Sequence, residues 1–335
     1  MISLPGRSLL KLSAVTVATL FVILVIHQVS YTGDFALTNQ SIEVVSHCDP
    51  SALEDSKTPR EYLDSPIPNT VHQIWKNSNI STYPVHASHD AWKETMKPFN
   101  YTVKLWTDDD ILELIKTNYT WLLSTYESYS QNIQRADVAR LVVVHAEGGM
   151  YADLDVFPKS AKEFACLQKM GLQAIFAPTS GTLGLSNHFF MAARGAPFLE
   201  WALQEAKRRG GATSNRILLP YLRVFWSTGP IMVTHAFQQY SWMYNTVKHG
   251  SVLMDENYTR SVIGHAAGRS WHGSDGQFLN YVSDHLGVVL FWVAASSSVA
   301  VLGLLVFVKR CRCKGIDLLG VCGSTSRSKE RYIEV

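Results

Sequence analysis

The chain has 335 residues, 47% of them hydrophobic and 17% charged, with a formal net charge of +2. That length and apolar content can bury a sizeable core in one globular domain with additional segments. The near-balanced charge, without a run of Lys and Arg interleaved with aromatics, excludes a polyanion-binding protein, so no nucleic acid partner is expected. Five cysteines without CxxC spacing exclude a zinc ribbon or a thioredoxin-type site.

Residues 12–29 are almost continuously apolar, follow Arg7 and Lys11, and lack a small-x-small cleavage site. They are expected to form a transmembrane signal anchor behind a cytoplasmic N-terminus, residues 1–11; a cleaved signal peptide is the alternative. Residues 30–66 are polar, with Pro, Ser and charge, and suit a lumenal stem. A folded domain is expected over 67–285. Residues 286–308 are long enough for a second span, and the basic KRCRCK after them predicts a cytoplasmic tail over 309–335. The sequons at Asn39, Asn79, Asn100, Asn118 and Asn257 all fall between the two spans, as a lumenal placement requires. In such a compartment Cys48 and Cys166 could form a disulfide or remain separate buried thiols. Cys311 and Cys313 stand where palmitoylation occurs.

Within the domain, VHQIW at 71–75 and YTVKLW at 101–106 read as strands, each followed by loop and helix. Asp108, Asp109 and Asp110 are expected to start a helix capped by Thr107 or Asp108 rather than to bind metal. Residues 173–177 and 185–193 read as further strands, and 197–207 as a helix. The turn Ser227-Thr228-Gly229-Pro230 opens another helix, with backbone amides that could meet a phosphate or a sugar. Strands alternating with helices predict an α/β fold with a largely parallel sheet and ligands at the C-terminal strand ends.

The centre of the chain is QRADVARLVVVHAEGGMYADLDV, residues 134–156. Its first part has helical spacing, with Ala136, Ala139, Val143 and Ala146 on one face and Asp137 and Arg140 paired on another. Gly148 and Gly149 stop the helix. A strand is expected to follow through Val156, which turns Asp153 and Asp155 to the same side. Two convergent carboxylates suit a hard divalent cation that bridges them to a phosphate. His265 and His272 bracket GRSW near the end of the domain, and one of them is expected to complete the metal shell.

Several separated stretches carry a family resemblance: IPNTVHQIWK at 67–76, YTVKLWTDDD at 101–110, RADVARLVVVHAEGGMYADLDV at 135–156, LSNHFFMAARGAPFLEWAL at 185–203 and GRSWHGSDGQ at 268–277. The chain resembles the DxD GT-A glycosyltransferases of the Och-type family, glycosyltransferase family 32. The closing motif and the second span are most similar to the fungal inositol phosphorylceramide mannosyltransferases, the catalytic subunits of mannosyl-inositol phosphorylceramide synthase.

The resemblance implies a GT-A domain with a Rossmann-like nucleotide-sugar site, and flanking transmembrane helices. It implies retaining transfer of mannose from GDP-mannose to the inositol of inositol phosphorylceramide, with Mn²⁺ or Mg²⁺ held by Asp153 and Asp155. Asp137 and Arg140 correspond to the pair that contacts the donor sugar and braces the DxD. Ile74 and Trp75 would wall the nucleotide pocket, and Asn187 and Trp271 would contact the donor. A multispanning regulatory subunit and a Golgi membrane, with the endoplasmic reticulum or vacuole as alternatives, are implied in the same way.

The chemistry of transfer agrees, because a divalent ion stabilises the leaving diphosphate without a side-chain acid. No carboxylate stands out as a covalent nucleophile, which favours front-face substitution. A phosphatase using Asp-x-Asp would carry Thr or Val two positions after the second Asp, where Phe157 stands. A protein-linked glycan acceptor, a UDP-sugar donor and a non-catalytic glycan-binding subunit remain alternatives; the intact Asp137, Arg140, Asp153 and Asp155 speak against the last.

Overall fold

The computed structural model describes residues 6–33, 43–49, 67–179, 184–244, 250–266 and 273–285, with scattered positions from 287 to 306 and backbone alone for 6–15. The chain divides into two units, residues 1–276 and 277–335. The elements named here lie in the first.

A helix, α1 (Gly6–Ser30), is followed by the short strand β1 (Val44–Val45). Next come β2 (Thr70–Ile74), α2 (His89–Met96) and β3 (Thr102–Trp106). Three helices follow, α3 (Asp108–Asn118), α4 (Thr120–Ser128) and α5 (Asn132–Glu147), and lead into β4 (Gly149–Ala152) and β5 (Val156–Pro158). Beyond these lie α6 (Ala161–Lys169), β6 (Ala174–Pro178), β7 (Leu185–Ala192) and α7 (Pro197–Arg209). The unit continues with α8 (Pro220–Ser227), α9 (Pro230–Tyr244), β8 (Ser251–Met254), α10 (Glu256–Val262) and β9 (Ile263–His265).

Seven strands form one sheet in the order β1-β8-β6-β7-β4-β2-β3, and β5 pairs with β9 in a separate ribbon. Every pairing in the large sheet is parallel except those of β7, which runs against both β4 and β6. The expected α/β fold with a largely parallel sheet is present.

The sheet divides two apolar layers. Alternation along β7 sends Phe190 and Ala192 to the layer built with α3, α4, α5, α7 and α9, and Phe189 and Met191 to the layer with α2, α6 and α10. Helix α5 is buried almost all round, including Val138, Leu141, Val142, Val143 and Val144. Burying each such side chain contributes about 1.5–3 kcal/mol, so packing holds the helix although it also buries Asp137 and Arg140.

Gly148 and Gly149 have φ of +70° and +106°, and a Cβ on Gly149 would lie 2.5 Å from the carbonyl oxygen of Thr70. Glycine therefore lets α5 end and β4 begin directly against β2. Thr107 caps α3 in a reciprocal capping box with Asp110, so the triple-aspartate run serves the helix start.

Three expectations need correction or restriction. The strand expected through Val156 stops at Ala152: Asp153, Leu154 and Asp155 form a turn closed by the Val156 amide on the Asp153 carbonyl, at 2.9 Å. The stem expected over 30–66 is not spacer throughout, because Val44 and Val45 pair with Leu253 and Met254 of β8, and Cys48 forms a disulfide with Cys166 of α6. The pairing of these two cysteines was open in the sequence. The first expected span lies within α1, but among the described residues no helix is long and apolar enough to cross a membrane. Most of the second span, the tail at 309–335 and Asn39 lie outside the described residues.

Candidate active site

The C-terminal ends of β2 and β4 are neighbours in the sheet, and the turn after β4 carries Asp153 and Asp155. The antiparallel β7 closes the other side of β4, where the Asp153 amide donates to the His188 carbonyl at 2.9 Å. Ile74 ends β2 on the same rim, and Trp75 follows it with its amide donating to the Trp106 carbonyl at 2.9 Å. The Trp75 ring meets Tyr83 edge-on with centroids 4.9 Å apart, and its indole N–H donates to Thr82 Oγ1 at 2.7 Å.

Arg140 organises the buried side of this rim. Its Nη1 stands 3.1 Å from Asp153 Oδ1 and donates to the Asn187 carbonyl at 3.0 Å, while Nη2 lies 3.2 Å from Asp137 Oδ1. The guanidinium sits over the Tyr151 ring, 5.0 Å from its centroid, and the Tyr151 hydroxyl donates to Asp153 Oδ1 at 2.7 Å. Asp137 accepts further hydrogen bonds from Asn187 Nδ2 at 2.9 Å and Thr228 Oγ1 at 3.0 Å. The net is thus satisfied on both carboxylates, as a buried ion pair requires.

Burial pushes the Asp137 carboxyl up, to about 6, against the pull of Arg140 and the Thr228 hydroxyl. Burial works against the Arg140 cation, but Asp153, Tyr151 and Asp137 outweigh it and hold the guanidinium charged. Asp153 keeps 27% of its side chain exposed, whereas Asp137 and Arg140 keep 5% each. The aspartate of the turn therefore faces the open site while the helix pair braces it from behind.

Asp155 lies beside His265, whose Nε2 is 3.5 Å from Asp155 Oδ2, and the Ala266 amide donates to the Asp155 carbonyl at 2.9 Å. Burial disfavours the His265 imidazolium, but the hydrogen bond and charge of Asp155 overcome it and raise its pKa. The His265 ring stacks on His188 with centroids 4.5 Å apart. Two carboxylates and an imidazole at one turn are a donor set that fits Mn²⁺ or Mg²⁺. Among the described residues, however, no three of His, Cys, Asp and Glu stand close enough together to hold a metal ion.

The structure thus brings together Asp137, Arg140, Asp153, Asp155, Asn187 and His265. Asn187, expected to contact the donor, donates its side-chain amide to Asp137. Trp271 and His272 lie outside the described residues. Tyr151, Thr228, His188 and Tyr83 were missed in the sequence. Thr228 was legible only as part of a turn, and its hydroxyl contact with Asp137 was not.

Residues 67–173 match the family model described as "Glycosyltransferase sugar-binding region containing DXD motif". By that stretch the chain is similar to the DXD-motif glycosyltransferases. Within that class it is similar to Inositol phosphoceramide mannosyltransferase 1 of Schizosaccharomyces pombe, 28% identical over 83% of each chain. It is also similar to Inositol phosphoceramide mannosyltransferase 3 of the same yeast, 32% identical over 67% of this chain and 61% of that one. Among solved structures it aligns with PaToxG Glycosyltransferase at a TM-score of 0.40 and 17% identity, over 59% of this chain and 74% of that one.

Proposed function

We propose that the chain transfers mannose from GDP-mannose to the inositol headgroup of inositol phosphorylceramide, with retention at the anomeric carbon. The observation that carries this reading is the Arg140 bridge between Asp137 and Asp153, set at the C-terminal ends of neighbouring strands. It stands in a chain that is similar along most of its length to inositol phosphoceramide mannosyltransferases.

As glycosyl transfer proceeds, negative charge develops on the leaving diphosphate and positive charge at the anomeric carbon. A divalent ion held by Asp153 and Asp155, with His265 beside them, would supply Lewis-acid stabilisation of that diphosphate. The chain's own groups fix the geometry: Arg140 and Tyr151 hold Asp153, and Thr228 and Asn187 hold Asp137 behind them. Ile74 and Trp75 line the adjoining rim where a nucleotide base would stack.

Membrane anchoring through residues 12–29 and 286–308, a Golgi location, N-glycosylation of the lumenal sequons and a multispanning partner subunit belong to the same proposal. Calorimetric titration of the full chain with GDP-mannose and with UDP-glucose, each with and without Mn²⁺, tests the donor. The proposal expects metal-dependent binding of GDP-mannose only. Equal binding of both donors would remove the guanine assignment.

A further inference from the structure

Nine large apolar side chains between Val17 and Val29 keep 42–64% of their surface exposed. They fall on every face of α1. A helix that is apolar all round belongs in a core or in hydrocarbon, and α1 is not in the core.

The polar end of this helix is fastened to the domain. Gln28 Nε2 donates to the Arg216 carbonyl at 3.2 Å, and its Oε1 accepts from the Leu218 amide at 2.9 Å. One side-chain amide thus pairs with both backbone groups of the 216–218 segment, as a neighbouring strand would. Three residues on, the Tyr31 ring meets Trp226 edge-on at 5.2 Å and packs against the cluster of Ile217, Leu222, Trp226 and Ile231. These contacts fix the 216–219 segment at the level where α1 changes from apolar to polar.

That segment is itself apolar and open. Leu218 is 57% and Leu219 37% exposed, beside an exposed Arg216. Arg223 Nε and Nη2 donate to the Ile217 carbonyl at 3.1 and 2.8 Å, which holds the loop in place from the domain side. Two leucines at a loop tip flanked by guanidinium groups match a bilayer surface, where apolar side chains enter the acyl boundary and cations meet phosphates.

We propose that residues 216–219 form a membrane-contact collar, with Leu218 and Leu219 inserted in the leaflet from which α1 emerges and Arg216 among the headgroup phosphates. Gln28 then sets the height of the domain above the lipid. The proposal rests on reading α1 as a membrane anchor.

The test uses the full chain with Cys311, Cys313 and Cys322 changed to Ser, in phosphatidylcholine–phosphatidylserine nanodiscs. Nitroxides are placed singly at Val22→Cys, Leu218→Cys, Leu219→Cys and Asp90→Cys, and the ratio of relaxation by oxygen to relaxation by a water-soluble nickel chelate is measured. Asp90 is the aqueous reference, with 87% of its side chain exposed. The Leu218 and Leu219 labels are expected to shift toward the lipid value of Val22 and away from Asp90. In a Gln28→Ala background the Leu218 label is expected to move back toward water while Val22 stays in lipid. Aqueous readings at 218 and 219 with Val22 in lipid would overturn the collar and leave the anchor standing. An aqueous Val22 would overturn the anchor and the collar together. An unchanged Leu218 reading in Gln28→Ala would overturn the role given to Gln28.

Discussion

Arg140 reaches from the middle of α5 to Asp153, 3.1 Å away, across the glycine break that separates the helix from the strand. The guanidinium binds the first DxD carboxylate and the Asp137 carboxylate of its own helix together, so the position of the turn is set by the helix. Arg140→Lys keeps the charge but loses the fork that serves both partners. Transfer by this variant is expected to fall about tenfold to a hundredfold, the equivalent of roughly 1.5–3 kcal/mol for a lost charge-assisted hydrogen bond. Steady-state kinetics beside circular dichroism would check it; wild-type turnover in Arg140→Lys would contradict the bracing role.

Thr228 supports the same net from the turn between α8 and α9. Thr228→Val removes the hydroxyl bonded to Asp137 while nearly preserving shape. It is expected to lower stability by about 1–3 kcal/mol, the cost of an acceptor deprived of its partner. Thr228→Ser should restore most of that loss in denaturant unfolding.

The disulfide between Cys48 and Cys166 closes a separation of 118 residues and ties the β1 edge to α6. Cys48→Ser is expected to cost about 2–5 kcal/mol, as removal of a native disulfide usually does. Cys166→Ser should cost the same, and the double variant little more. Thermal unfolding with and without reductant gives the comparison, and additive losses would exclude the pairing.

His72 is fully buried, with Nδ1 accepting from the Trp106 indole at 3.0 Å and Nε2 donating to the Gly148 carbonyl at 2.8 Å. Burial lowers its pKa from 6.5 to about 4; the Gly148 carbonyl and Glu147 oppose that shift, and Lys104 adds to it. The folded state thus refuses a proton that the unfolded chain accepts. Its contribution is intact above pH 6.5, is lost as pH falls from there toward 4, and amounts to about 3 kcal/mol at 1.36 kcal/mol per unit. Stability measured from pH 7 to pH 4 should therefore fall more steeply in the wild type than in His72→Phe. Parallel slopes would rule this out.

Much of this arrangement was legible in the sequence because it is local. The Asp137 and Arg140 pair follows from helical spacing, the double glycine marks the break, β2 and β3 follow from alternation, and all four of β2, β3, β6 and β7 fall within a residue or two of the expected ranges. What was missed depends on contacts distant in the chain. No spacing rule brings Thr228 to Asp137 across 91 positions, or Cys48 to Cys166. Asp153 and Asp155 were placed on a strand because alternation gives them one face, but they lie in the turn that follows it. The burial of α5 on all sides also hid its packing, since an apolar stripe is only informative when the other face is wet.

The central claim is that the turn after β4 carries metal-dependent mannosyl transfer to a lipid acceptor. Its most direct test is turnover of GDP-mannose on inositol phosphorylceramide by the detergent-solubilised full chain, with its expected partner subunit, with and without Mn²⁺. Asp153→Ala and Asp155→Ala are assayed beside the wild type. The account predicts mannosylated lipid that requires the metal and disappears in both variants. Mannosylated lipid made equally well by either variant, or a wild type that neither binds nor consumes GDP-mannose, would contradict it.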